Sequence, residues 1–420
     1  MDTPPGQSAG PSPPVNTRGW RRTFSSLQIL NYRWYWISNT TGFFAYQMGL
    51  VARGWLVYEM TDSPFLLGIV TAAWALPTLI LGPFSGVITD RVEKRNIIIA
   101  NQTATVLIAL AVTILIVTNA IQLWHLLTAS LLSGVVFSLN MPARQAIVPE
   151  LVGQKQLMNA IALNSSGMNA TKIAGPALAG ILIGFIGIPG VYMIITGCYV
   201  VTVGAMLKVP ATGVAARTEN TGVISDIAYG FTYVRHHSLV LMLLALEFVI
   251  NFLGWPYMIL MPVFARDVFG VGAAGLGILM SVTGVGALCG SLGLASLGDF
   301  RHKGLFLLGL FFLFGVGLVL FANSKVFYVS LFFLLIVGAV ATASFALNNT
   351  LIQSNIAHKV RGRVMSIYMM TWTAESLGVL PMGALAEARG IPFAVSAAGL
   401  LLAISAIVVA ILVPRLRQLE

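Results

Sequence analysis

Apolar residues in this chain come in runs of about 20, each closed by a short polar turn, over nearly its whole length. A helix rising 1.5 Å per residue needs about that many to cross some 30 Å of hydrocarbon. Twelve runs can be read, over 32–58, 64–89, 96–118, 122–146, 157–186, 189–208, 239–265, 273–298, 304–322, 326–352, 363–388 and 391–413. None shows the alternation of a barrel strand. In hydrocarbon each backbone N–H and C=O must find its partner within its own segment, so the runs are predicted helices and the fold class is all-α, membrane-embedded. The longest polar interval, Val209 to Ser238, leaves six runs on either side. The expected organisation is a disordered tail over 1–24, a six-helix bundle over 25–208, a linker over 209–238, a second six-helix bundle over 239–413 and a tail over 414–420.

Composition agrees with a lipid environment: 57% of residues are hydrophobic and 9% charged, against about 25% charged in soluble domains. The formal charge of +10 does not point to nucleic acid, because the basic residues lie in short turns rather than on one soluble face. They set orientation instead. With the N-terminus inside, roughly 18 of the basic residues fall on the cytoplasmic side, and Arg266, Lys325 and Arg389 lie outside. The expected location is the inner (cytoplasmic) membrane, multi-pass, with both termini cytoplasmic. Met1 to Asn16, rich in Pro, Gly and Ser, reads as a disordered tail without a signal-peptide core. Tyr32, Trp34, Tyr35 and Trp36 beside Arg33 read as an interfacial anchor. Cys198 and Cys289 fall inside apolar runs and read as packing residues.

Two segments repeat at nearly one offset. Gly86-Val-Ile-Thr-Asp90-Arg91-Val-Glu93-Lys94-Arg95 has a degraded counterpart in Ala295-Ser-Leu-Gly-Asp299-Phe-Arg301-His302-Lys303. Gly175-Pro176-Ala177-Leu178-Ala179-Gly180 resembles Leu380-Pro381-Met382-Gly383-Ala384-Leu385-Ala386. Repeats in equivalent spans argue for duplicated halves with a cavity between them.

Ionisable residues inside spans are costly and usually face a cavity or a partner. They are Arg53, Arg144, Lys172, Glu247 and Glu375. Asn39, Gly42, Tyr46, Gly49 and Arg53 recur at helical spacing and form one polar, small face of the first span; Glu247, Asn251, Gly254, Trp255 and Met258 do so in the seventh. Such faces are expected to meet a cavity or a partner rather than lipid, and Glu247 and Glu375 are rival candidates for a proton carrier. For Arg144 and Lys172, interhelical pairing or snorkelling is an equal alternative. Gly270-x-Gly272-x-x-Gly275 matches a dinucleotide fingerprint but follows an apolar helix instead of a strand, so the required context is missing. No Walker A sequence, paired metal-ligand histidines or nucleophile elbow is present. An enzyme is not expected, nor a cofactor or metal.

Gly86-x-x-x-Asp90-Arg91-x-x-Lys94-Arg95 resembles the signature of the major facilitator superfamily in the loop between helices two and three, departing from it at Thr89 and Glu93. Gly175-Pro176-x-x-x-Gly180 resembles the motif of that family's antiporters. Met141-Pro-Ala-Arg144 through Pro149-Glu150-Leu151-Val152, then Asn159 to Asn164, with Arg53-Gly-Trp55 through Ser63-Pro64, is similar to the subgroup of macrolide exporters, the enterobactin exporter and the lysophospholipid flippase. The resemblance implies a gating motif of Gly86, Asp90, Arg91, Lys94 and Arg95 in which Asp90 gates the cytoplasmic side, and span-five glycines that seal a tight interface. It also implies a central cavity lined by spans one and seven, so that Tyr46, Arg53, Asn251 and Trp255 are expected to face substrate. As a basic residue in a turn, Lys94 is itself read as a solvated loop charge. It implies export of an amphipathic or cationic small organic molecule (a drug, a siderophore-like or related compound) by alternating access with proton antiport. A lipid or lysophospholipid flippase, or a non-transporting receptor or assembly partner, are the alternatives. The expected partners are substrate, membrane lipid and protons, not nucleic acid, and the expected state is a monomer.

Overall fold

The computed structural model describes residues 24–211, 231–357, 360–417 and 419, without the side chains of 82–84, 86–91, 142 and 415. Most of the expected linker and nearly all of the N-terminal tail lie outside these residues. Helix α1 is Leu30–Thr61, α2 Pro64–Arg91 and α3 Lys94–Val117. The run Leu123–Leu207 then holds three spans, because its backbone leaves helical geometry at Gly153 (φ 66°) and Gly187 (φ 69°). A glycine tolerates positive φ without a β-carbon clash, so one residue suffices for each turn. The three spans are α4 (123–152), α5 (154–186) and α6 (188–207). The expected turn over 147–156 is therefore helical up to 152: Pro149 occupies a helical position and Gly153 alone makes the break.

In the second half, Ser238–Val249, the π turns Ile250–Gly254 and Phe264–Val268, and the short pieces Pro256–Ile259 and Met261–Val263 form one irregular span, α7. Pro256 and Pro262 each remove a backbone donor there, which breaks the regular ladder. Then come α8 (Gly272–Leu297), α9 (Lys303–Asn323), α10 (Phe327–Ser354), α11 (Arg361–Thr371 continued by Thr373–Arg389) and α12 (Ile391–Leu412). Twelve spans with no strand among the described residues make an all-α membrane fold. Eight helical runs are long and apolar enough to cross a bilayer, the 85-residue run counting once. The two spans that miss this standard are α1 and α11, which carry Arg53 and Glu375.

Packing repeats between α1–α6 and α7–α12. A β-carbon added to Gly134 of α4 would meet Trp74 O of α2 at 2.2 Å, and one added to Gly338 of α10 would meet Thr283 O of α8 at 2.1 Å. Likewise α3 meets α6 through Thr113 and Thr196, whose hydroxyls lie 2.9 Å apart, and α9 meets α12 through Gly315 and Gly399. Without a hydrophobic driving force in lipid, such close backbone approach supplies the dispersion contacts that hold helices together.

Between the halves the same device appears twice. On α5, a β-carbon at Gly180 would lie 2.5 Å from Ala273 O and 2.7 Å from Gly277 Cα of α8; one at Gly277 would lie 2.8 Å from Pro176 O. On α11, a β-carbon at Gly383 would lie 2.7 Å from Pro64 O of α2, and one at Gly68 would lie 3.1 Å from Val379 O. The two sequence segments that resemble each other, around Pro176 and Pro381, thus occupy the two equivalent crossings. Gly175 points the other way, onto Gln47 of α1.

Tyr32 and Tyr35 depart from the anchor reading. Both are fully buried, and their hydroxyls donate to Ala160 O of α5 at 2.7 Å and Arg144 O of α4 at 3.0 Å. A phenol buried among helices is held by such a partner, and these rings pin α1 to its neighbours. Trp36 does the same, donating to Leu163 O at 3.1 Å.

Candidate functional site: a polar cleft between the halves

The cleft is built where α1, α4, α5 and α6 face α7 and α11. Tyr46 of α1 stacks with Phe137 of α4, ring centroids 6.3 Å apart, and Phe137 packs on Trp74 of α2 at 4.9 Å. Two turns further along, Arg53 reaches Ser130 Oγ of α4 at 3.4 Å and stands within electrostatic reach of Tyr46 and of Tyr192 and Tyr199 on α6. Across the cleft Glu375 of α11 is within such reach of Lys172 on α5 and of Tyr46. Lys172 is exposed although it sits in mid-span, as are Ser165 and Asn169 on the same helix. Residues spaced i, i+4, i+7 share one face, so α5 presents an exposed polar face that sequence inspection passed over. The structure thus brings Tyr46, Arg53, Lys172 and Glu375 together and adds Tyr192 and Tyr199, whose seven-residue spacing on α6 was the available signal.

The α7 stripe is placed differently from the expectation. Glu247 is 0% exposed. Its carboxylate accepts from Asn348 Nδ2 of α10 at 2.6 Å and from Asn251 Nδ2 at 3.2 Å. Asn251 is itself buried, and Trp255 turns its edge to Phe314 of α9 at 6.3 Å. In this conformation Glu247, Asn251 and Trp255 belong to the interior of the second half, because the bent α7 rotates that stripe toward α9 and α10.

Arg144 is held by neutral oxygens. Its guanidinium donates to Asn39 Oδ1 of α1 at 2.6 Å and to Asn140 Oδ1 at 2.7 Å, and the amide oxygen of Gln102 on α3 accepts from it once that carboxamide is oriented to suit its neighbours. This is interhelical pairing, with amides in place of a carboxylate. Among the described residues no group of three or more His, Cys, Asp or Glu is arranged to hold a metal.

At the end carrying the α2–α3 turn, the side chains of Gly86, Asp90 and Arg91 lie outside those described. Lys94 is not a solvated loop charge. It is 6% exposed and forms an ion pair with Glu150 of α4. Arg95 donates from Nε to Val209 O at 2.5 Å and from Nη2 to Leu207 O at 3.0 Å, tying α3 to the end of α6. Since one partner of the Lys94 pair is buried and the other about a third exposed, removing either charge is expected to cost about 1–3 kcal/mol, between the exposed and buried limits. Lys94→Glu and Glu150→Lys should each lower the melting temperature of the purified protein, and the double exchange should recover at least half of the loss. An additive double exchange would show that the pair contributes nothing.

At the opposite end, carrying the α1–α2 turn, the halves are latched. Tyr58 of α1 donates to Asp267 in the last turn of α7. Arg266 pairs with Asp62 at 2.7 Å, donates to Tyr58 O at 3.3 Å and lies over the Tyr58 ring. Glu387 of α11 accepts from Ser63 Oγ at 2.5 Å and Phe65 N at 3.3 Å, while Ser63 Oγ accepts from Leu66 N at 3.1 Å. The carboxylate so placed satisfies donors at the start of α2 and faces the positive end of its dipole. Described hydrogen bonds and ion pairs between the halves lie at this end or in mid-membrane, where Ser281 of α8 donates to Ile173 O at 3.1 Å.

Comparison with known proteins accounts for this architecture. The family profile described as transmembrane secretion effector, of the major facilitator type, matches residues 21–420. The chain is 25% identical to the staphyloferrin A transporter of Staphylococcus aureus, over 82% of this chain and 86% of that one. It is 25% identical to the multidrug efflux pump Tap of Mycolicibacterium fortuitum, over 88% and 92%, and 25% identical to the enterobactin exporter EntS of Salmonella typhimurium, over 76% of each. Its fold is similar to that of a bacterial homologue of the human lysosomal transporter Spinster in an inward-facing, unoccupied conformation, with TM-score 0.74, 13% identity, and 95% of this chain and 98% of that one covered. A full-length family match over a twelve-span fold with a polar cleft between its halves settles the class: the chain is a multi-pass membrane transporter and belongs to the transmembrane secretion effector family of the major facilitator superfamily.

Proposed function

We propose that this efflux transporter of the major facilitator type exports an amphipathic small organic molecule by alternating access, driven by protons, with α1–α6 and α7–α12 as the two moving bodies and both termini in the cytoplasm. The observation that carries the reading is the asymmetry of the cleft. Its polar side chains face one another across the halves in mid-membrane, the halves are latched by side chains at the α1–α2 end, and the glycine crossings between α5 and α8 and between α2 and α11 give two smooth surfaces on which the bodies can rock. Cargo would enter from the α2–α3 end and leave when the latch parts. Relatives named as an enterobactin exporter, a multidrug efflux pump and a macrolide efflux protein support the outward direction. For coupling, Glu375 is favoured over Glu247, because a proton carrier must meet water in at least one orientation and Glu247 is sealed among amides.

The latch tests the reading. Asp267→Asn with Glu387→Gln removes two carboxylates that bridge the halves and should shift the resting population away from the described state. A cysteine at Tyr46, in a background where Cys198 and Cys289 are alanine, should then react with an impermeant thiol reagent added at the α1–α2 face several-fold faster than in the parent. An unchanged rate would overturn the assignment of this end as a gate.

A further inference from the structure

The charges that face the cleft are of one sign in excess. Arg53 and Lys172 stand against Glu375, and Arg144 lies behind them between α1, α3 and α4; Glu247 is enclosed by Asn251 and Asn348 and faces no cation. Among the described residues no carboxylate lies within ion-pair distance of Arg53 or Arg144. Arg53 has one weak hydroxyl contact, to Ser130 at 3.4 Å. A guanidinium carries five donors and stays charged in any protein setting, and Ser130 is the one described side chain that Arg53 donates to. Around it stand Tyr46, Tyr192 and Tyr199, further hydroxyl donors, beside the aromatic wall of Phe137 and Trp74. Arg144 touches the same face of α1 through Asn39 and lies beside Gly42. Asn39 and Arg53 are 14 residues apart, or about 21 Å along a helix, so two cations mark one face from near the α2–α3 end to the depth of the cleft.

We propose, resting on the export reading above, that the cargo is an organic anion: an amphipathic molecule whose carboxylate or other anionic group is received by Arg53 and its tyrosine hydroxyls while its apolar part lies on Phe137 and Trp74. A cationic cargo, half of the sequence expectation, would enter a recess of its own sign and leave the Arg53 donors unmet. An anion completes the set through paired charge-assisted hydrogen bonds, the geometry for which arginine is suited.

The test uses two fluorescent probes that share one ring system and differ in charge, dansylglycine with a carboxylate and dansylcadaverine with an ammonium. Full-length protein in nanodiscs should bind dansylglycine about tenfold more tightly than dansylcadaverine. Arg53→Gln should abolish that preference, and Arg53→Lys should keep part of it; both variants must melt within a few degrees of the parent, with Arg53→Lys serving alone if Arg53→Gln does not fold. Equal or stronger binding of dansylcadaverine, or a preference that neither Arg53 variant alters, overturns the proposal. So does binding of neither probe. The export reading is judged separately, by whether cells with the gene survive a panel of toxic compounds better than cells without it, so failure of one leaves the other standing.

Discussion

Gly277→Val is expected to abolish export, lowering the rate at least about tenfold, and to destabilise the folded protein by more than about 3 kcal/mol, beyond the usual cost of overpacking. The reason is that what lies opposite is backbone. A β-carbon at Gly277 falls 2.8 Å from Pro176 O and 3.0 Å from Gly180 Cα, and the converse substitution at Gly180 meets Ala273 O at 2.5 Å. No rotamer change relieves such a contact. Helices α5 and α8 must separate along their length, which loses the packing that joins the halves at this crossing. The same two helices provide the controls. Gly184 of α5 and Gly293 of α8 have open space where a β-carbon would stand, with nothing within 4 Å of it, so Gly184→Ala and Gly293→Ala should transport and melt like the parent. Transport into vesicles and thermal unfolding in the same lipid measure both quantities. Parent-like export by Gly277→Val would show that the crossing opens too freely to be a fixed track.

Most of the fold was legible because lipid imposes one rule at a time. Twelve apolar runs predicted twelve spans, and their ends moved by a few residues at most except after α4. There the apolar run reads as ending at 146, but the helix continues through Pro149 to 152, and Gly153, at positive φ, makes the break. The pairing of Gly175-Pro176-x-x-x-Gly180 with the Pro381 segment was legible as a repeat. Which partner each would meet was not, since glycine spacing shows that a helix can approach closely and not what approaches it. The tyrosines at 32 and 35 misled for a related reason: an aromatic cluster beside Arg33 has the composition of an interfacial belt, and only the burial of both rings shows that their hydroxyls face helices.

The site was legible on α1 and less so on α7. A periodic polar face on a straight helix points one way, so Tyr46 and Arg53 fall together along the wall of the cleft, with Asn39 buried against Arg144 nearer the α2–α3 end. On α7 two π turns and two prolines change the angle per residue, and a stripe drawn at 100° per residue no longer predicts its direction. Glu247 consequently meets Asn348, a residue 101 positions away, which no local pattern reveals. Lys94 was misjudged because its partner, Glu150, lies 56 positions along the chain. A basic residue in a turn is read as solvated until the helix end that covers it is known.

The same geometry separates the two glutamates. Glu375→Gln is expected to reduce pH-gradient-driven accumulation of cargo in everted vesicles at least about tenfold while leaving exchange down a concentration gradient near the parent rate. Glu247→Gln is expected to retain at least half of the gradient-driven accumulation. A coupling carboxylate must gain and lose its proton once per cycle, since desolvation favours the neutral form and hydration the anion. That requires a path to water and a partner that changes with the cycle. Glu375 has both: it is only half-buried, on α11, and it faces Lys172 and Tyr46, which belong to the other moving half. Rocking alters these distances. Glu247 has neither, as it is fully buried and its partners Asn251 and Asn348 move with it in the same half. A glutamine at 247 keeps one acceptor, and Asn348 can turn its amide to offer the oxygen that now lacks a donor, so the structural cost is small. Lys172→Gln supplies the remaining check. Removing the cation takes away the charge that Glu375 faces on the other moving half, so gradient-driven accumulation should fall several-fold while downhill exchange continues. Accumulation that survives in Glu375→Gln and fails in Glu247→Gln would reverse the assignment and require the second half to open around α7 during transport.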